Sequence, residues 1–157
     1  MSKRRQVGCS LVLAVLLVYQ AVPVGAFSGG AHALAGSALG QVAGSAEGAF
    51  VVGLASHTLL DAIPHYEYRP LTQVALMLGA GLIISQEYNR SGDMRLLAGA
   101  AGGVLPDVEH LLRKLGWQKR PVFPSHNGTL PHGSTTNVWH GIWLEAGLVG
   151  ALVGLAF

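Results

Sequence analysis

Charge is what this sequence has least of. Asp, Glu, Lys and Arg make up 11% of its 157 residues, less than half the roughly 25% of an ordinary soluble domain. Ten basic residues against eight acidic ones leave a formal net charge of +2. Without a basic stripe, no nucleic-acid partner is expected. Cysteine is almost missing as well. The single Cys9 rules out a disulfide framework and a thiolate-rich zinc site. A Gly-rich phosphate loop, a serine nucleophile elbow and an HExxH helix are all absent, and no internal repeat occurs.

What is present points elsewhere. Half of the residues are hydrophobic, and the mean hydropathy is +0.43. Intrinsic disorder, which needs low hydrophobicity and high charge, is excluded. The length allows one domain. The composition predicts a small integral membrane protein, with the lipid bilayer as its partner.

The N-terminus reads MSKRRQ, then VGCSLVLAVLLV, then YQAVPVGA. A basic head, an apolar run and small residues form a secretory signal layout over residues 1–26, either cleaved or kept as an anchor. Residues 27–157 then form a helical membrane domain. Helices are predicted over 30–43, 46–63, 71–86, 94–115 and 138–157. The fourth is expected to kink or restart at Pro106. Ser45 suits an N-cap, with Glu47 in the first turn. Segments 87–93 and 113–137 are polar loops. The fold class is therefore all-α, a polytopic bundle of four to five helices after the leader.

Seven histidines stand against eight acidic residues in total, and their placement is uneven. His32 opens the first helix. His57, Asp61 and His65 close the second. Asp107 and His110 lie late in the fourth, His126 and His132 in the following loop, and His140 at the start of the last. If successive helices alternate direction, all of these gather at one end of the bundle.

Three stretches carry the chemistry. In SHTLLDAIPH, His57, Asp61 and His65 are spaced i, i+4, i+8, so they line one helix face unless Pro64 tilts His65 away. In GGVLPDVEHLL, paired glycines admit another backbone, and Asp107 and His110 share a face. In SHNGTLPHG, His126 and His132 sit in a Gly/Pro-containing loop. A structural His–Asp hydrogen bond would explain Asp61, and helix-dipole pairing would explain Asp107 and Glu109. Neither explains His110. His140 and Glu145 share no face and are not expected to be ligands.

The metal set predicted from these residues is His32, His57, Asp61, His65, Asp107, His110, His126 and His132. Imidazole and carboxylate without thiolate suit zinc first, then iron or manganese. Metal-bound water would be the nucleophile, with Asp61 or Glu109 as general base.

The order of these motifs resembles the bacterial membrane-bound metal-dependent hydrolases of the inner membrane. GGAHALAGSALG carries His32, SHTLLDAIPH carries His57 and Asp61, LPDVEH carries Asp107 and His110, and SHNGTLPHG carries His126 and His132. The likeness covers roughly residues 28–145. Glu109 stands where the family favours Asp, and the loop lacks a basic residue after His126. The resemblance implies a multi-pass membrane metal hydrolase. Lys3, Arg4 and Arg5 favour a cytoplasmic N-terminus and so an external site. Arg113, Lys114, Lys119 and Arg120 favour the opposite side. The first segment is given precedence, which places the site outside the cytoplasm.

Overall fold

A computed structural model describes residues 28–66 and 68–157. The leader read over residues 1–26 lies outside the described residues. Five helices make up most of the remainder: α1 Gly29–Gly40, α2 Ala46–Asp61, α3 Pro70–Ser91, α4 Met94–Lys114 and α5 Val138–Ala156. Two short strands, β1 His65–Tyr66 and β2 Ser134–Thr135, pair in parallel. The all-α expectation holds.

Local chemistry sets the helix ends. Ser28, Ser45 and Asn137 cap α1, α2 and α5 by accepting from the backbone N–H groups of Ala31, Gly48 and His140. Asp93 caps α4 through the N–H of Arg95. Gly92, at φ 70°, ends α3 in the left-handed region that favours glycine.

Three expectations are corrected. First, α3 runs on to Ser91 instead of ending at 86. Glu87 and Arg90 pair at i, i+3, and the helix stops only at Gly92. Second, α4 continues through Pro106 without restarting. Third, α2 stops at Asp61, so His65 leaves the helical face and lies in β1. Pro64 disfavours helix in the residue before it, which explains the early stop.

Glycine fixes how closely the helices approach. A Cβ on Gly36 or on Gly53 would lie 2.2 Å from the Gly99 carbonyl oxygen. One on Gly102 would lie 2.1 Å from the Phe50 carbonyl, and one on Gly103 would lie 2.3 Å from the His32 carbonyl. Backbone therefore packs on backbone where α1 and α2 meet α4. Larger side chains fill the space beyond: Leu34, Ile84 and Leu96 form one buried cluster, and Ala31, Ala35 and Leu60 another. Leu148 and Val149 of α5 pack against the second cluster.

No helix among the described residues is long and apolar enough to cross a membrane. With 12 and 16 residues, α1 and α2 fall short of the ~20 residues a span needs. Charges at Arg95, Asp107, Glu109 and Arg113 interrupt α4. Large apolar side chains are nonetheless exposed, among them Val42, Val51, Leu59, Leu71, Leu82, Trp139 and Trp143.

The close approach is testable. Gly99→Val should cost about 3 kcal/mol or more, because overpacking of a filled site costs ~1–3 kcal/mol and here the obstruction is backbone. Gly79 has no atom within 4 Å of its would-be Cβ. Gly79→Ala should instead leave stability unchanged or raise it by about 0.5–1 kcal/mol. Chemical denaturation of both variants reads the contrast.

Candidate metal centre

The centre is built from four pieces of chain. The first turn of α1 brings His32, the last turn of α2 brings His57 and Asp61, α4 brings Asp107, Glu109 and His110, and the loop after α4 brings His126 and His132. The Ser28 cap fixes the start of α1. The glycine contact at Gly103 lets His32 stack on His57, with ring centroids 4.0 Å apart.

Glu109 folds the loop over the centre. Its Oε2 accepts from the backbone N–H groups of Val122 at 2.8 Å and Phe123 at 3.1 Å, and from Gln118 Nε2 at 3.3 Å. Its Oε1 accepts from His126 Nδ1 at 2.7 Å. The other end of the loop is held at α2, where the Gly133 N–H donates to the Asp61 carbonyl at 2.7 Å. A Cβ on Gly133 would lie 2.7 Å from the Ile63 carbonyl carbon, so the loop can lie this close only with glycine there. The β1–β2 pairing continues the clamp.

Hydrogen bonding fixes the histidine tautomers. His57 Nδ1 lies 2.8 Å from the Gly103 carbonyl. A carbonyl only accepts, so Nδ1 carries the proton and the Nε2 lone pair points inward. His126 is set the same way by the Glu109 carboxylate. His65 Nδ1 donates to the Ile63 carbonyl at 2.7 Å.

The inward atoms then crowd together. His57 Nε2 lies 3.0 Å from Asp61 Oδ2, His126 Nε2 lies 3.3 Å from the same oxygen, and the two nitrogens are 3.4 Å apart. Asp107 Oδ1 stands 4.0 Å and 3.9 Å from those nitrogens. His32 Nε2 is 3.4 Å from Asp61 Oδ1. Such lone pairs repel one another unless a cation, proton or metal, lies among them.

The metal test is quantitative. Zinc bonds of ~2.0–2.1 Å in tetrahedral geometry put ligand atoms about 3.3 Å apart. The triangle of His57 Nε2, His126 Nε2 and Asp61 Oδ2 has sides of 3.0, 3.3 and 3.4 Å. Two further groups, His32–His57–Asp107 and Asp107–His110–His126, are more widely spaced but also close enough that they could hold an ion. The buried Asp107 Oδ1 and His110 Nε2 form no hydrogen bond, as expected of atoms built to face an ion. These buried His and Asp groups could hold a metal ion.

The predicted residues thus sort into two sets. His32, His57, Asp61, Asp107, His110 and His126 come together. His132 sits at the rim, its Nδ1 3.7 Å from Asp61 Oδ2. His65 is buried behind it, packed edge-on against the His132 ring at 5.1 Å, and belongs to none of the three ligand groups. His140 is exposed, and Glu145 hydrogen-bonds Ser28. Sequence reasoning offered Asp61 or Glu109 as base, and the acceptor positions of Glu109 are occupied by the loop and by His126. It also missed the Gly103 carbonyl that orients His57. The paired glycines ahead of LPD were the signal that a backbone approaches there.

Burial alone would lower the pKa of His126. Hydrogen bonds to Asp61 and Glu109 outweigh it, and the pKa is raised above the usual 6.5. His65 is lowered, chiefly by burial. No protein-family model, curated protein or solved structure matches the chain.

A pH dependence follows from His126. Its folded pKa is raised, so its contribution to stability is complete below pH 6.5 and is lost as pH climbs through the raised value. Metal-free protein should lose stability as pH rises from 6.5 through the raised value. Unfolding curves taken with chelator should show the loss in wild type and not in His126→Asn.

Proposed function

We propose that this protein is a metal-dependent hydrolase whose centre holds one divalent ion, zinc, between His57, Asp61 and His126. The observation that carries this reading is the triangle of inward-facing donor atoms, spaced as three corners of a zinc tetrahedron. Three protein ligands with a fourth position open is the catalytic pattern, whereas structural zinc sites are closed by four. When bound, the ion would lower the pKa of its water to about 7 and supply hydroxide at neutral pH.

The chain's own groups take separate roles. Asp107 Oδ1, buried and without a hydrogen bond, lies within 4.0 Å of the inward nitrogens of His57 and His126 and would accept a proton there. Glu109 holds the His126 ring in the ligating tautomer, the usual partner arrangement for a metal-bound histidine. Exposed His132 meets the incoming substrate.

The motif order, with LPDVEH its most specific part, supports hydrolysis. The exposed leucines, valines and tryptophans support a membrane location; the motif order supports the bacterial inner membrane, and Lys3, Arg4 and Arg5 support a site outside the cytoplasm. A lipid or other phosphoester is the substrate class that such a surface would meet. The near-complete burial of the ligands also favours a second reading, a membrane protein that binds, senses or moves metal without turnover.

Purified full-length protein should contain about one zinc per chain. His57→Ala and Asp61→Ala should lose it, and Glu109→Gln should weaken binding about 10–100-fold. Asp107→Asn should keep the zinc but lose about 10²–10⁴-fold in turnover of p-nitrophenyl phosphate or phospholipid vesicles. Turnover by Asp107→Asn at the wild-type rate would remove Asp107 from the mechanism. Stoichiometric zinc with no turnover of either probe would select the non-enzymatic reading.

A further inference from the structure

A second ionisable group lies buried away from the metal centre. Glu145 of α5 is 6% exposed. Its Oε1 accepts from the Ser28 hydroxyl, the Tyr68 phenol lies beside it, and its Oε2 forms no hydrogen bond of normal geometry. Among the described residues, the groups facing this carboxyl are neutral: the Ser28 hydroxyl, the Ser28 N–H and the Tyr68 phenol. Among the described residues no cationic side chain pairs with it. A buried carboxyl without a counter-charge is costly, and the metal site makes no use of it.

The same carboxyl lines a cavity of about 250 Å³ between α1, α3 and α5. Ser28, Tyr68, Thr72 and Glu145 form its polar part, and Leu34, Leu76 and Val149 contribute apolar walls. Gly30, Ala31 and Leu34 of α1 face this cavity. His32 and Gly36, two residues on from Gly30 and Leu34, lie against α4. A two-residue step turns a helix by about 200°, so the cavity and the metal centre lie on opposite faces of α1. The cavity is therefore a separate site.

We propose that this cavity binds a small cationic amphiphile, with a primary ammonium head on Glu145 and a short alkyl chain against Leu34, Leu76 and Val149. The ammonium supplies the missing counter-charge and a donor for Oε2. The chain covers the apolar wall. A site with a few placed polar groups in an otherwise apolar lining is the usual form of a small-molecule pocket, and its size, just below the ~300 Å³ lower bound of such pockets, limits the ligand to a short one.

Calorimetric titration of the full-length protein tests this with three probes of equal chain length: n-octylammonium, 1-octanol and octanoate. Saturable one-to-one binding is expected in the order ammonium, alcohol, carboxylate. Glu145→Gln should weaken n-octylammonium about tenfold or more and leave 1-octanol nearly unchanged, because only the ion pair is removed. Leu76→Trp, which fills the cavity from its apolar side, should abolish binding of all three, and it serves if Glu145→Gln fails to fold. Non-saturable uptake of n-octylammonium, or equal affinity in wild type and Glu145→Gln, would overturn the proposal. A preference for 1-octanol over n-octylammonium would do the same. None of these titrations reads the metal centre, so their failure leaves the hydrolase reading untouched.

Discussion

The structure depends on backbone lying directly against backbone along α4. Gly99, Gly102 and Gly103 have no side chain, and neither do Gly36 and Gly53 opposite them, so α1 and α2 approach α4 within the space a methyl group would occupy. This is the small-residue packing that lets helices meet closely. Its consequence is chemical as well as mechanical. Only at this separation does the Gly103 carbonyl reach His57 Nδ1, and that bond turns the other ring nitrogen inward.

A second constraint completes the centre from outside. The loop after α4 is tied down at one end by the Glu109 carboxylate and at the other by Gly133 against the end of α2. Between these ties, His126 is delivered to Asp61 with its tautomer already set. The two inward-facing histidines are thus oriented by different means, one by a helix carbonyl and one by a carboxylate. Both leave a lone pair facing the same carboxylate oxygen. Holding such atoms together in a buried place costs energy in the absence of a cation, and this links the fold to the proposed metal.

Glu145 repeats the theme on the other face of α1. There one carboxyl is buried with only neutral partners among the described residues, beside a small, mainly apolar cavity. The two sites share the Ser28 cap and first turn of α1 as a wall but use opposite sides of it. A chain with so few charges has placed several of them where solvent does not reach.

Much of this was legible in the sequence. Helix-period apolar runs, the Ser45 cap and the i, i+4 spacing of His57 and Asp61 are local properties, and local backbone geometry enforces them. The grouping of His32, His57, Asp61, Asp107 and His110 followed from where helix ends fall. Other features depend on contacts between distant residues, which no local pattern encodes. Glu109, read with Asp61 as a candidate base, has its carboxylate oxygens engaged by a loop more than ten residues away. His65 left the ligand face because α2 stops before Pro64. By itself the sequence determined the helices, and the residue types and order of a His/Asp cluster that could hold a metal ion. Tertiary structure alone decided which atoms face one another, because tautomer, loop closure and the glycine contacts are set by neighbours far apart in the chain.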